Sequence, residues 1–257
     1  MTSFGMICHI FNEELMLPHF IAAHTNLFER VIVVDHHSTD YSWDIIEDLA
    51  PHWRIVPSRL SCFDAVKTDL ECQEYEEQLN TDFKVVLTAT EFIFGLDYRE
   101  TLIRLREENP QVQAFGGCSY ILVDKEDTHL PFRHPLVRDH HYGCRVNKAT
   151  NTRERWRFTH TAKSGNYTPG RHSTNLPCVY SEDLNLLHWR FAPWPLAEER
   201  KLQIAARVPQ SDLAKGMGQH HIHTKKTLEE EYQKWVAESY DLLTDLKFKA
   251  IYEGYIL

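Results

Sequence analysis

Four short polar stretches hold most of the groups in this chain that could do chemistry: Asn12-Glu13-Glu14, Asp35-His36-His37-Ser38-Thr39-Asp40, Ser58-Arg59 and Thr88-Ala89-Thr90-Glu91-Phe92. Each follows an apolar run that reads as a strand. In an open parallel sheet, ligands bind beyond the carboxyl ends of the strands, so these polar groups converge at one edge. No GxGxxG follows the first run and no GxxxxGK(S/T) occurs, which disfavours a dinucleotide or P-loop site. For Ser38, Thr39 and Asp40 the expected work is capping, because their side chains can satisfy the first amides of a helix that begins there. Sixteen histidines invite a metal reading. His220-His221-Ile222-His223 resembles a metal tract, but three ligands so close together rarely complete one tetrahedral site, and a polar loop is the better expectation. His36-His37 and His140-His141 read as solvated or capping residues. HExxH and a dense HxHxD cluster are both absent, which argues against a metal-dependent hydrolase.

The elements that would position these groups alternate. Met6–Phe11, Arg30–Asp35, Trp53–Val56 and Phe83–Leu87 read as strands. Between them, residues 13–27 present Leu15, Phe20, Ile21 and Leu27 to a core. A helix starting at Ser38-Thr39-Asp40 carries Trp43, Ile45, Ile46 and Leu49, and residues 65–79 form a charged amphipathic helix. Near-continuous apolar strands between helices predict an α/β fold with a mostly parallel sheet covered on both faces. Leu102–Glu107 reads as helix and Gln113–Val123 as strand. From 124 to 183 periodicity is lost, which in a compact domain marks a functional or flexible stretch. Pro195–Ala206 and Thr227–Tyr252 return to helical spacing.

The 257 residues, 42% hydrophobic and 25% charged, are those of an ordinary globular chain with a sizeable core. A net charge of -9 argues against non-specific nucleic-acid binding, which runs on phosphate neutralisation. No apolar run reaches the length of a membrane helix and the N-terminus lacks a signal-peptide pattern, so a cytoplasmic chain with no membrane span is expected. The six cysteines show no CxxC pairing and read as buried reduced thiols. Residues 124–172 reverse the charge, with ten Lys or Arg against five acids. That balance fits either a solvated loop or an anion-facing lid over a phosphate site.

Asn12-Glu13-Glu14 after the first strand, with Val33-Val34-Asp35-His36-His37-Ser38-Thr39-Asp40 after the second, resembles the opening of family 2-type glycosyltransferases. The nearest resemblance is to the bacterial branch whose fourth strand ends in D-x-D-E-F. It covers residues 6–95 and continues loosely through Gly170-Arg171-His172, Leu187-His188-Trp189 and Gly216-Met217-Gly218-Gln219-His220. It implies a GT-A-like (Rossmann-like) fold with an irregular acceptor region and C-terminal helices. In one domain, residues 1–115 would form the nucleotide-sugar-binding half, 116–225 the acceptor and lid half, and 226–257 a C-terminal helix. Asp35 would accept a hydrogen bond from the nucleotide base, with Asn12 and Glu13 lining the base and ribose pocket. Arg171 and His172 would lie near the phosphates or the acceptor. Asp183, in the place of the family's Glu-Asp pair, would be the base of an inverting reaction. Trp156, Trp189 and Trp194 would stack on a sugar or fill the core.

At the fourth strand the chain departs from the pattern. The two metal-binding aspartates of the family fall on Thr88 and Thr90, and only Glu91-Phe92 remains. Hydroxyls are poor ligands for Mg²⁺ or Mn²⁺. Glu91 with His188 could hold a divalent metal weakly and with nucleotide present, the cations of 124–172 could replace it, or transfer could be lost. The resemblance implies a glycosyltransferase acting on a nucleotide-diphosphate sugar and a saccharide or other hydroxyl acceptor. The alternative is a non-catalytic sugar-nucleotide-binding protein on the same fold.

Overall fold

The structure, a computed structural model, describes residues 2–125, 133–146, 156–194, 196–214 and 222–256. Its first half alternates strand and helix: β1 (Phe4–Ile10), α1 (Leu17–His24), β2 (Arg30–Asp35), α2 (Ser42–Leu49), β3 (Arg54–Pro57), α3 (Ala65–Glu76) and β4 (Phe83–Thr88). These four strands lie parallel in the order β3-β2-β1-β4. Successive side chains of a strand point to opposite faces, and both faces are covered. Met6, Cys8 and Ile10 enter a core with Leu17, Phe20 and Ile21 of α1 and Ile46 of α2. On the other face Ile7, Ile32, Val34 and Val86 pack on Cys72, Tyr75 and Leu79, the last two turns and the exit of α3. Asp64 caps α3 by accepting from the Lys67 amide at 2.9 Å.

The second half widens the sheet with β5 (Glu91–Ile93), α4 (Tyr98–Glu108), β6 (Ala114–Val123), β7 (Tyr142–Val146), β8 (Thr159–His160) and β9 (Cys178–Phe191). Here β6 and β9 are parallel, while β8, β7 and β5 run antiparallel to their neighbours. The α/β class is as expected; the sheet is parallel in its first block and mixed beyond it. The stretch from 124 to 183, expected to be irregular, contributes three strands to the sheet. Then come α5 (Leu196–Arg207), the short α6 (Gln210–Leu213), α7 (Lys225–Glu238), β10 (Tyr240–Asp241) and α8 (Leu246–Tyr255). The single helix expected over 227–252 is therefore two, separated by a pairing of Tyr240-Asp241 with β7. No described helix is long and apolar enough to cross a membrane.

Candidate active site

The loops after β1 and β2 are strapped together. The Ser38 hydroxyl accepts from the Asn12 amide at 2.9 Å and donates to Asp35 at 2.5 Å. The Asn12 carboxamide oxygen accepts from the Thr39 amide at 2.8 Å. Asp40 accepts from the amides of Glu14 and Ser42, both at 3.0 Å, so one carboxylate joins the first loop to the start of α2. Asp40 thus takes the Ser42 amide from outside the helix, the N-cap position falling on Tyr41 without a side-chain cap bond, whereas Ser38 and Thr39 hold Asn12. Asn12 (φ 50), His37 (φ 60) and Arg171 (φ 59) are three of the four non-glycine residues with left-handed backbone among the described residues. Conformations of that kind are uncommon and cluster at functional sites.

Asp35 is buried, ends β2, and accepts from both the amide and the hydroxyl of Ser38. Over this corner lies Arg207 at the end of α5. Its guanidinium stands 3.4 Å from the Phe11 ring centroid and donates to the His36 carbonyl at 3.2 Å. Glu13 faces a cleft of about 180 Å³ bounded by Met16, Asp40, Trp189, Leu196 and Arg200. Arg200 donates to it at 3.3 Å, yet burial raises the Glu13 carboxyl above the usual range.

At the end of β4 the hydroxyls of Thr88 and Thr90 lie 3.3 Å apart. Glu91 turns back, and its Oε2 accepts from the Thr88 amide at 2.9 Å. It also takes a forked ion pair from Arg157, with Nε donating at 2.9 and 2.8 Å and Nη2 lying 2.8 Å from Oε1. Arg157 Nη1 donates to the Gly170 carbonyl at 2.6 Å and lies 3.4 Å from His172 Nδ1. Arg171 is anchored by Asp69, which also accepts from the Gly170 amide. His188 is the register partner of Glu91 across β5 and β9. His9 on β1 stands beside Thr88 in register, and its imidazole is pushed well down by burial, with Arg171 and Arg157 adding to the effect.

One edge therefore brings together Asn12, Glu13, Asp35, Thr88, Thr90, Glu91, Arg171, His172 and His188. Asp183 is elsewhere. It projects from β9 five residues before His188, exposed, and pairs with Arg104 of α4 at 3.1 Å and Lys247 of α8 at 3.2 Å. The reason is the break in β9, where Tyr180 partners Gly116 but Asn185 partners Cys118. Trp156, Trp189 and Trp194 are buried core residues, and Trp189 also borders the Glu13 cleft. His36 and His140 are buried as well, the latter against Asp124 at 2.7 Å. Cys8, Cys72 and Cys118 are buried, but Cys62 and Cys178 are exposed. His220, His221 and the 216–220 stretch lie outside the described residues. The sequence reading missed Arg157 as an individual, along with Asp69, Arg200 and Arg207; only the basic excess of 124–172 hinted at the first.

The donor set at β4 does not fit a divalent metal. Among the described residues no three His, Cys, Asp or Glu side chains gather as an ion requires. Both oxygens of Glu91 already accept from a guanidinium. A cation placed there would meet that positive charge at roughly 4 Å, costing on the order of 4 kcal/mol per unit charge at an effective dielectric of 20.

No family model and no curated protein matches the sequence. Among solved structures, the chain is similar to S. aureus TarS 1-349 in complex with UDP, at 15% identity over 48% of this chain and 36% of that one, TM-score 0.35. It is similar also to glucosyl-3-phosphoglycerate synthase from Mycobacterium tuberculosis. With Mn²⁺ and UDP-glucose that structure shows 12% identity over 46% of this chain and 44% of that one, TM-score 0.34. With UDP the same enzyme shows 14% identity over 45% and 44%, TM-score 0.36. The chain spans less than half the length of each of these proteins.

Proposed function

We propose that this chain is a GT-A-like glycosyltransferase that moves a sugar from a nucleotide-diphosphate sugar to an acceptor hydroxyl. The observation that carries this reading is the convergence of the residues beyond β1, β2 and β4, whose order resembles family 2-type enzymes, with Arg157, Arg171 and His172 from the return segment. In this reading Asp35 accepts from the base, Asn12 and Glu13 line the base and ribose pocket, and the Thr88 and Thr90 hydroxyls donate to the diphosphate. Stabilising the charge that develops on the leaving diphosphate is the main catalytic demand. An inverting step also needs a base within hydrogen-bond reach of the acceptor. Asp183, on the α4 and α8 side, is not placed for that task.

That last observation favours a second reading, a protein that binds the sugar nucleotide without turning it over. Calorimetry of the purified chain with UDP, GDP and their glucose conjugates, followed by assay for donor hydrolysis, separates the two. Binding with turnover supports the transferase, binding alone supports the second reading, and no binding to any of them removes both.

A further inference from the structure

We propose that the Glu91–Arg157 pair takes the place of a divalent cation, so that a nucleoside diphosphate binds this edge without metal. This rests on the sugar-nucleotide reading above and goes on to name the group that meets the diphosphate.

The threonines come first. Where two aspartates would need a cation between themselves and a diphosphate, Thr88 and Thr90 are neutral and can donate directly to phosphate oxygens. Next is the guanidinium itself. Arg157 is held on one side by both oxygens of Glu91 and on another by the Gly170 carbonyl, and its side chain is 7% exposed. Of the five N–H groups of its rigid fork, Glu91 takes Nε–H and one Nη2–H and Gly170 one Nη1–H, which leaves the second Nη2–H, and the Nη1–H beside His172, to meet phosphate. Glu91 and Gly170 fix its plane, so little reorganisation is needed when an anion arrives.

The same segment places a second cation. Gly170 (φ 86) and Arg171 (φ 59) turn the chain back through left-handed conformations, and Asp69 clamps the turn at the Gly170 amide and the Arg171 guanidinium. Each arginine is paired to a carboxylate of its own, so neither charge is buried without a partner. Glu91 and Asp69 are thereby taken up by guanidinium groups and are not free to hold a metal.

The test is calorimetry of UDP binding to the full chain, in EDTA and in excess Mn²⁺, for wild type, Arg157→Lys and Arg157→Gln. Wild type should bind UDP with the same affinity in both buffers, within about twofold. Arg157→Gln should bind about tenfold more weakly or worse, the scale of one charge-assisted hydrogen bond. Arg157→Lys, which keeps the charge but loses the fork, should fall between, and Mn²⁺ should rescue neither. Because Arg157→Gln strands Glu91 in the interior, folding is checked by circular dichroism. The paired variant Glu91→Gln with Arg157→Gln, which removes both charges, carries the same expectation if the single variant does not fold. Tightening of wild-type binding by about tenfold or more with Mn²⁺, or wild-type affinity in folded Arg157 variants, overturns the proposal and leaves the sugar-nucleotide reading standing. Failure of wild type to bind UDP or GDP in either buffer overturns that reading, and the proposal with it.

Discussion

At the scale of the residue, Asp35 and His24 are both buried and are satisfied by different partners. Asp35 accepts from the amide and the hydroxyl of Ser38, and in the sugar-nucleotide reading its remaining lone pairs would meet the nucleobase. Asp35→Asn keeps the shape and halves the acceptor capacity; UDP affinity should fall about tenfold, near 1–3 kcal/mol, as measured by calorimetry. Unchanged affinity would take Asp35 out of the site. His24 is buried and neutral, with its imidazole pushed down to about 4 by desolvation. Its Nδ1 donates to the Phe20 carbonyl at 2.7 Å, and its Nε2 accepts from the Ile93 amide at 3.1 Å. A proton on Nε2 would set donor against donor. Below the ordinary histidine value the unfolded chain therefore binds the proton more readily than the folded one. Stability is fully present above about pH 6.5 and falls as the pH drops towards 4, by up to about 3 kcal/mol from this residue. Urea unfolding at a series of pH values should show that loss, and His24→Gln should be less stable at pH 7 but flatter with pH. An unchanged slope in the variant would assign the acid sensitivity to other groups.

At the scale of the element, the break in β9 decides where its acids go. Gly117 of β6 passes so close to β9 that a Cβ there would stand 2.0 Å from the Leu184 carbonyl oxygen. Only glycine permits the approach, and the surplus residues Ser181, Glu182 and Asp183 are turned outward to Arg145, Arg104 and Lys247. Gly117→Ala should cost about 3 kcal/mol or more, since backbone, not a flexible side chain, must move. Gly95→Ala, with nothing within 4 Å, should stay within about 0.5 kcal/mol. Thermal unfolding of both variants checks the contrast, and equal midpoints would mean that the two strands can separate freely at Gly117. The same break explains what the sequence showed and what it hid. Strands β1, β2 and β4 were legible because each is an apolar run buried on both faces, while β3, at the edge of the sheet, is short and only partly buried. In β9 the polar run Ser181-Glu182-Asp183, its two acids exposed, imitates a turn. Helical spacing continues through residues 239–241, but Asp241 and Asp245 each cap a new start, and Tyr240 pairs with β7, so one expected helix became two. The polar groups after β1, β2 and β4 were legible because parallel topology brings them to one edge. Arg157 was not, because its partner is 66 residues away and only the return of the chain through β8 joins them.

At the scale of the whole molecule, charge and core both cross the boundary between the two halves. The basic excess of 124–172 is answered from outside the segment: Glu91 takes Arg157, Asp69 takes Arg171, Glu77 takes Lys163 and Glu182 takes Arg145. Among the described residues of this stretch, Arg157 and Arg171 lie in the interior, whereas Lys125, Arg133, Arg138 and Lys163 are exposed. The core crosses in the same way. Phe248 of α8 is fully buried with Phe94 and Tyr120, ring centroids 4.9 and 5.0 Å away, inside the cluster that also holds Phe4 and Leu17. A sheet continuous from β3 to β10 leaves no seam at which 1–115 could separate from the rest. The chain should thus unfold in one cooperative step despite its length, the halves sharing their apolar burial. Phe248→Ala should lower the stability of the whole by about 3–5 kcal/mol, the cost of an empty aromatic site. Urea unfolding followed by far-ultraviolet circular dichroism and by tryptophan fluorescence tests both statements, because the described tryptophans are spread from Trp43 to Trp235. Coincident curves that shift together in the variant support one unit. Curves that separate, or a variant that moves only the later transition, would show that the C-terminal helices and the first half fold independently.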